Sequence, residues 1–599
     1  MFLRCSTRKK NGKTHHYWSL VENRRVADGR VVQRHVLYLG EISGAQQEAW
    51  QRSIEVFEDG QPHPRTVALL PEAPWSSAPP EDAPPGAPGV IRLRLAELEL
   101  RRPRQWGACW LACHLYAQLG LDGFFAERLP PSRKGTRWDL VLQTLCAYRL
   151  IDPGSEWRLH REWFERSAMA DLLGEDFALA DTHKLYGCHD LLLEHKSALF
   201  SHLRERWKDL FNARFEVLLY DLTSTYFESD PPFAEEDKRK FGYSRDKRSD
   251  CVQIVIALVI TPEGFPLAYE VMPGNTSDKT TLRGFLQKIE TQYGKAERIW
   301  IMDRGIPSEE VLAEMRASDL PIHYLVGTPK GSLSKLEAQL SAQPWEQVRA
   351  GIEVKLLPQE GELYIFAQSR DRINKERAMR RRALRKLLTR LTELQAMDLK
   401  RDQLLLKLGA AKAAAGRAYY LVDIRLPAAR EAVNAQTFSF KLNRAKLRIA
   451  RRREGRYLLR SNLCEELPVK LWELYMQLTQ VEEAFKNLKG DLAIRPIYHQ
   501  REARIEAHIF IAFLAYCLQV TLTRRLRDLA PGLSARAVLE KFAAVQMIDV
   551  QLPTSDGRKV LFSRYTQPED ELKLLLRRLK LELPAQAPPR ITAAGQLCP

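Results

Sequence analysis

The chain lacks the signatures of most hydrolases. It has no GxSxG turn, no HExxH and no Walker loop, so serine-esterase, zinc-protease and P-loop chemistry have no seat. Its nine cysteines are scattered between Cys5 and Cys598. None forms a CxxC pair or has a histidine at finger spacing, and the odd number fits reduced thiols. Cys109 and Cys113 fall in an apolar helical stretch and read as core. The amino terminus, Met1-Phe2-Leu3-Arg4, has no apolar h-region. The longest mainly apolar run, Ile509 to Leu522, falls short of the ~20 residues of a membrane span and reads as a buried helix. A cytoplasmic protein with no membrane partner is expected.

Positive charge is in excess. Lys and Arg number 92 against 75 Asp and Glu, a formal charge of +17 over 599 residues. That balance favours a polyanionic partner, either nucleic acid or an anionic surface. The length calls for several domains. Residues 1–70 form a small strand-rich module, with a turn at Ala27-Asp28-Gly29 and a strand from His35 to Gly40. A Pro-rich linker covers 71–90. Residues 91–205 are mainly helical, with apolar spacing of three and four from Trp106 to Leu119 and from Trp138 to Leu150. This region reads as a DNA-binding module or as a plain helical bundle.

Two acids close buried-strand patterns. Asp221 follows Phe215 to Tyr220, and Asp303 follows Ile299 to Met302. From Phe215 the order is strand, strand (Val252–Ile260), strand (Phe265–Val271), helix, strand, helix (from Ser308), strand (His323–Val326). This is the ribonuclease H-like order: an α/β fold with a mixed sheet flanked by helices, in which the first and fourth strands lie side by side and bring Asp221 to Asp303. Segment 206–330 is the first part of that core. An insertion at 331–467 carries strands and a long basic helix, Arg372 to Lys407. Segment 468–530 completes the core, and 531–599 is a C-terminal region. From Pro468 to Lys489 a helix is expected, with Leu471, Leu474, Leu478, Val481, Phe485 and Leu488 as its apolar seam. Tyr475, Glu482 and Lys489 recur every seven residues and so share one stripe. Taken singly, each acid is as well explained by turn formation or by solvent exposure. Together, three carboxylates can hold two divalent ions for phosphodiester chemistry. Glu483 faces about 100° away, and the loop acids Asp246 and Asp278 read as turn caps.

These residues resemble the DDE transposases of bacterial insertion sequences, in the group marked by a Tyr…Arg…Glu…Lys signature. Tyr475, Glu482 and Lys489 match that signature, whereas Leu478 stands at the Arg position. Tyr220-Asp221-Leu222-Thr223, Gly242 to Asp246, Pro273 to Asp278, Asp303-Arg304-Gly305 and Arg495 to His499 are similar to the same branch. The resemblance implies Asp221, Asp303 and Glu482 as catalytic ligands of two Mg²⁺ or Mn²⁺ ions. It implies cleavage of element ends, joining to target DNA, and a dimer or larger assembly. DNA contacts are expected from Tyr475, Lys489, Arg304, Lys486, Arg451, Arg452 and Arg453. A nuclease or resolvase without strand transfer, and a non-catalytic DNA-binding descendant, stay open as alternatives.

Overall fold

In a computed structural model, the chain is described except for residues 1, 11–12, 26–30, 41–65, 68–90, 229–233, 247, 304, 319–321, 329–335, 337–338, 340–342, 350, 430, 531–532 and 593–599. The expected turn at 27–29 and the Pro-rich stretch lie outside the described residues. Strands β1 (Phe2–Lys10), β2 (Lys13–Arg25) and β3 (Val31–Gly40) form an antiparallel sheet. The short β4 (Thr66–Val67) and β5 (Glu99–Gln105) follow.

Helices then dominate. Gly107–Gln118, Trp138–Ile151 and Lys196–Phe211 bury apolar faces, including Leu111, Leu115, Leu142, Leu145, Leu203 and Trp207. Cys109 is fully buried and Cys113 partly so, as expected of core residues. Ser155 caps the helical turn Glu156–Arg158 by accepting from the Arg158 amide.

The large sheet begins with β6 (Val217–Phe227), β7 (Val252–Ile260) and β8 (Pro266–Pro273). Every residue of β7 is buried. This is why its sequence from Ile254 to Ile260 is a continuous run of β-branched and apolar residues with no alternation, while the buried Gln253 amide donates to the Tyr243 and Gly274 carbonyls. Gly264 turns the β7–β8 connection at φ +98°, a conformation that penalises any side chain. Next come β9 (Arg298–Met302) and β10 (Ile322–Gly327), each behind a helix: Leu282–Tyr293, then Glu309–Ala317 with Ser308 as its N-cap. Strands β11 (Glu346–Arg349), β12 (Ile352–Gln359), β13 (Glu362–Ser369) and, after a long excursion, β16 (Arg456–Ser461) join the same sheet. Its order is β11-β12-β13-β16-β10-β9-β6-β7-β8. β6, β9 and β10 pair parallel and their neighbours antiparallel, so the sheet is mixed.

The excursion between β13 and β16 differs from the expected single basic helix. Two helices, Arg370–Ala396 and Arg401–Ala415, pack together through Leu384, Leu387, Leu391 and Leu394 against Leu404, Leu408 and Ala411. The break falls at 397–400, where the Gln403 side chain accepts from the Lys400 amide and starts the second helix. One uninterrupted helix would leave these two leucine stripes without each other. The small pair β14 (Val422–Arg425) and β15 (Ser439–Leu442) completes the excursion.

Behind the sheet lies the helix Glu502–Leu529. It is long and apolar enough to cross a membrane, yet 94% of its most apolar window is buried inside the protein. The expected buried helix over Ile509–Leu522 is therefore present. The C-terminal hairpin of β17 (Gln546–Pro553) and β18 (Lys559–Tyr565) pairs with β5 on one side and with β19 (Arg590–Thr592), then β4, on the other. Arg104 on β5 locks this junction. Its guanidinium is 2% exposed and forks onto Asp171 (2.8 and 3.1 Å) and Asp549 (2.9 and 3.0 Å). Buried charge of this kind is tolerated only when the donors are matched.

Candidate active site

Parallel pairing of β6 with β9 runs in register from Val217↔Ile299 to Tyr220↔Met302. One residue further, each chain carries an acid, Asp221 and Asp303. Neighbouring strands lie about 4.8 Å apart, so this register sets the two carboxyl-bearing residues side by side. The expectation that a strand ends at Asp221 is corrected: β6 continues to Phe227, because it stays paired with β7 there. Asp303 does follow the last residue of β9.

The third acid arrives on a helix packed against β6. The expected helix from Pro468 to Lys489 is two, Pro468–Met476 and Leu478–Lys489, with the junction at Gln477. Leu471 and Leu474 on the first and Val481, Phe485 and Leu488 on the second are buried, so the seam survives the break. Glu482 lines one cavity of about 310 Å³ with Asp221, Asp303, Arg245 and Asp278. A second cavity of about 490 Å³ shares the same three acids and adds Arg372, Glu376, Arg417, Arg456 and Tyr475. The three acids thus line a cleft to which Arg245, Arg372, Arg417 and Arg456 add positive charge.

Electrostatics follow from this packing. Burial pushes the Asp221 carboxyl up to about 7, with Asp303 and Glu482 adding to the rise. The Leu222 amide, donating to Asp221 Oδ1 at 2.8 Å, and Arg245 act in the opposite sense. Arg245 is itself held by Asp278, whose two oxygens each accept at 2.8 Å. Asp246 pairs with Lys489 Nζ at 3.0 Å and with Arg495. Both acids are therefore ion-pair partners, not the turn caps expected of them, because the two loops that carry them lie against basic side chains.

Tyr475 is brought to the cleft, with its ring 5.9 Å from that of Tyr457. Lys489 is not. It is 12% exposed and engaged by Asp246, and burial lowers its pKa. Lys486 is exposed on the same helix and lines neither cavity. Arg451, Arg452 and Arg453 are exposed around the end of the helix Arg444–Arg452 and line neither cavity. Arg304 lies outside the described residues. Sequence reasoning did not single out Arg245, Arg372 or Arg417. Arg245 lies within the Gly242–Asp246 segment, so its signal was present. Nothing in the local pattern around Arg372 and Arg417 points to a cleft, because only the tertiary fold of the excursion delivers them.

The Transposase DDE domain family matches residues 213–518. The N-terminal domain of the IS1634 family transposases matches residues 3–62. No curated protein matches the chain. Among solved structures, a piggyBac transposase synaptic complex with hairpin DNA is similar over 73% of this chain and 79% of its own, with 8% identity and a TM-score of 0.35.

Proposed function

The chain belongs to the insertion-sequence transposases with a DDE domain, and from that premise we propose that Asp221, Asp303 and Glu482 are its catalytic carboxylates within a ribonuclease H-like core. The protein is a DNA transposase, an enzyme whose partner is DNA. The observation that carries the residue assignment is the β6–β9 register, which sets Asp221 beside Asp303 over a cavity that Glu482 also lines.

The donor set fits two Mg²⁺ or Mn²⁺ ions: carboxylate oxygens suit hard cations, and Asp221, raised first by burial and then by Asp303 and Glu482, is a carboxylate whose charge dications would stabilise. When bound, such ions lower the barrier for attack on a phosphodiester by water or a 3′-hydroxyl and stabilise the leaving oxygen. The protein supplies the rest. The Leu222 amide fixes the Asp221 carboxylate. Arg245, clamped by Asp278, sits against the same acids and balances their charge. Arg372, Arg417 and Arg456 offer guanidinium groups to DNA phosphates along the cleft, with Tyr475 beside them. Arg451, Arg452, Arg453, Lys486 and, outside the described residues, Arg304 add charge for the flanking DNA. Lys489 joins them when Asp246 releases it. End recognition falls to residues 91–205. The freed 3′-ends are joined to target DNA by a dimer or larger assembly, acting in the cytoplasm.

Purified protein incubated with end-bearing DNA, target plasmid and Mg²⁺ tests this directly. Cleavage followed by joining is expected, and cleavage without joining would reduce the protein to a nuclease. Asp303→Ala should abolish cleavage and leave DNA binding near wild type. Retained cleavage removes Asp303 from the site.

A further inference from the structure

Outside the acidic cleft, four buried side chains from four segments converge. Glu156 begins a helical turn, His189 ends the helix Thr182–His189, His499 lies in the segment leaving the Glu482 helix, and His508 sits on Glu502–Leu529. They are 5%, 1%, 7% and 5% exposed. One ligand atom from each lies within 4.8 Å of all the others.

Two of the rings have a backbone partner on the nitrogen that faces away from Glu156. His189 Nδ1 lies 2.9 Å from the Leu185 carbonyl, and His508 Nε2 lies 3.3 Å from the Ile494 carbonyl. A carbonyl only accepts, so each of these nitrogens carries the hydrogen. In a neutral ring the opposite nitrogen then presents a lone pair. In neutral rings His189 Nε2 and His508 Nδ1 thus present lone pairs towards Glu156; Arg149 also approaches His508 Nδ1, and His189 Nε2 makes no well-aligned hydrogen bond.

The spacing is also long for direct bonding. Glu156 Oε1 stands 3.3 Å from His189 Nε2, 3.4 Å from His499 Nε2 and 3.8 Å from His508 Nδ1. Charge-assisted hydrogen bonds close to about 2.7–2.9 Å. Ligands bound tetrahedrally at about 2.0–2.1 Å stand about 3.3–3.4 Å apart, the edge of that tetrahedron. Two of the three separations match it.

We propose that Glu156, His189, His499 and His508 form a closed site for one Zn²⁺ ion, distinct from the catalytic carboxylates. Three imidazoles and one carboxylate suit zinc better than the hard Mg²⁺. The carbonyls behind His189 and His508 supply the outer hydrogen bonds that orient such ligands. Arg149 is the competing cation. Its guanidinium lies 3.4 Å from His508 Nδ1, 3.8 Å from Glu156 and 3.3 Å from the Ala493 carbonyl. On loading it yields the first contact and keeps the last. The ion pins the segment following the Glu482 helix to the helical region, a structural role that stands whether or not the cleft assignment is right.

The test uses the full chain, without a histidine tag, from zinc-supplemented culture. Elemental analysis should find one zinc per chain, equally in the Asp303→Ala variant and strongly reduced in His189→Ala. Because His189→Ala can fail to fold, Co²⁺ is also titrated into the metal-stripped wild-type chain in excess Mg²⁺. Intense visible bands of tetrahedral Co²⁺, abolished by one equivalent of Zn²⁺, are expected. Zinc-free protein that also gives no such bands overturns the proposal. So does zinc that Asp303→Ala removes, or that a folded His189→Ala retains.

Discussion

Asp221→Asn should stabilise the metal-free protein increasingly as pH rises. The folded carboxyl is raised from 3.8 to about 7, so the folded state holds its proton more tightly than the unfolded chain does. The associated stability is fully present below about pH 4 and is lost as pH climbs to about 7. A shift of about three units is worth about 4 kcal/mol at 1.36 kcal/mol per unit. Roughly 1.7 of those units fall between pH 5 and 7, where the folded group is half-titrated, so the gap between Asn variant and wild type should widen by about 2 kcal/mol across that range. Asn keeps the shape and cannot ionise, which isolates the charge. The assay is urea unfolding of both chains in EDTA at pH 5 and pH 8. Saturating Mg²⁺ at pH 8 should close the gap, because the ions compensate the carboxylate that the variant lacks. Parallel pH profiles for the two chains would refute the claim that Asp221 is held away from water beside other acids.

Other expectations follow from the packing. Arg104→Met strips Asp171 and Asp549 of their shared partner and should cost about 3–5 kcal/mol, read by chemical denaturation. Leu391, fully buried between the two excursion helices, should cost about 2–5 kcal/mol on truncation to Ala. Hydrogen exchange should place that loss in residues 384–411 rather than in the large sheet. Arg417→Ala should weaken DNA binding about equally for all sequences and flatten the slope of log K against log salt by about 1. An unchanged slope would remove Arg417 from the phosphate path.

The strands and helices of the core were legible because their signals are local. The apolar run Ile254–Ile260 of β7 announces burial on both faces, and Ser308 announces the helix Glu309–Ala317. The acids at 221 and 303 were legible through the strands that carry them. What the sequence hid is tertiary. A leucine stripe on 384–394 and another on 404–411 look like one basic amphipathic helix until each is seen to be the other's cover. Lys489 has the spacing of a cleft residue, yet Asp246, far away in sequence, claims its ammonium. Glu156 and the three histidines around it come from separate segments with no common spacing, so no pattern along the chain connects them.

β10 and β16 are antiparallel neighbours, with Leu325 opposite Ser461, and everything between them departs and returns at one doorway. The length of that detour is therefore invisible to the β6–β9 register, and residues can be gained or shed there without disturbing the acids. One constraint survives any such editing. β13 shields the flank of β16 through six paired residues, from Leu363↔Ser461 to Gln368↔Arg456. A shortened descendant that discards it must cap the bared edge with something else or become sticky.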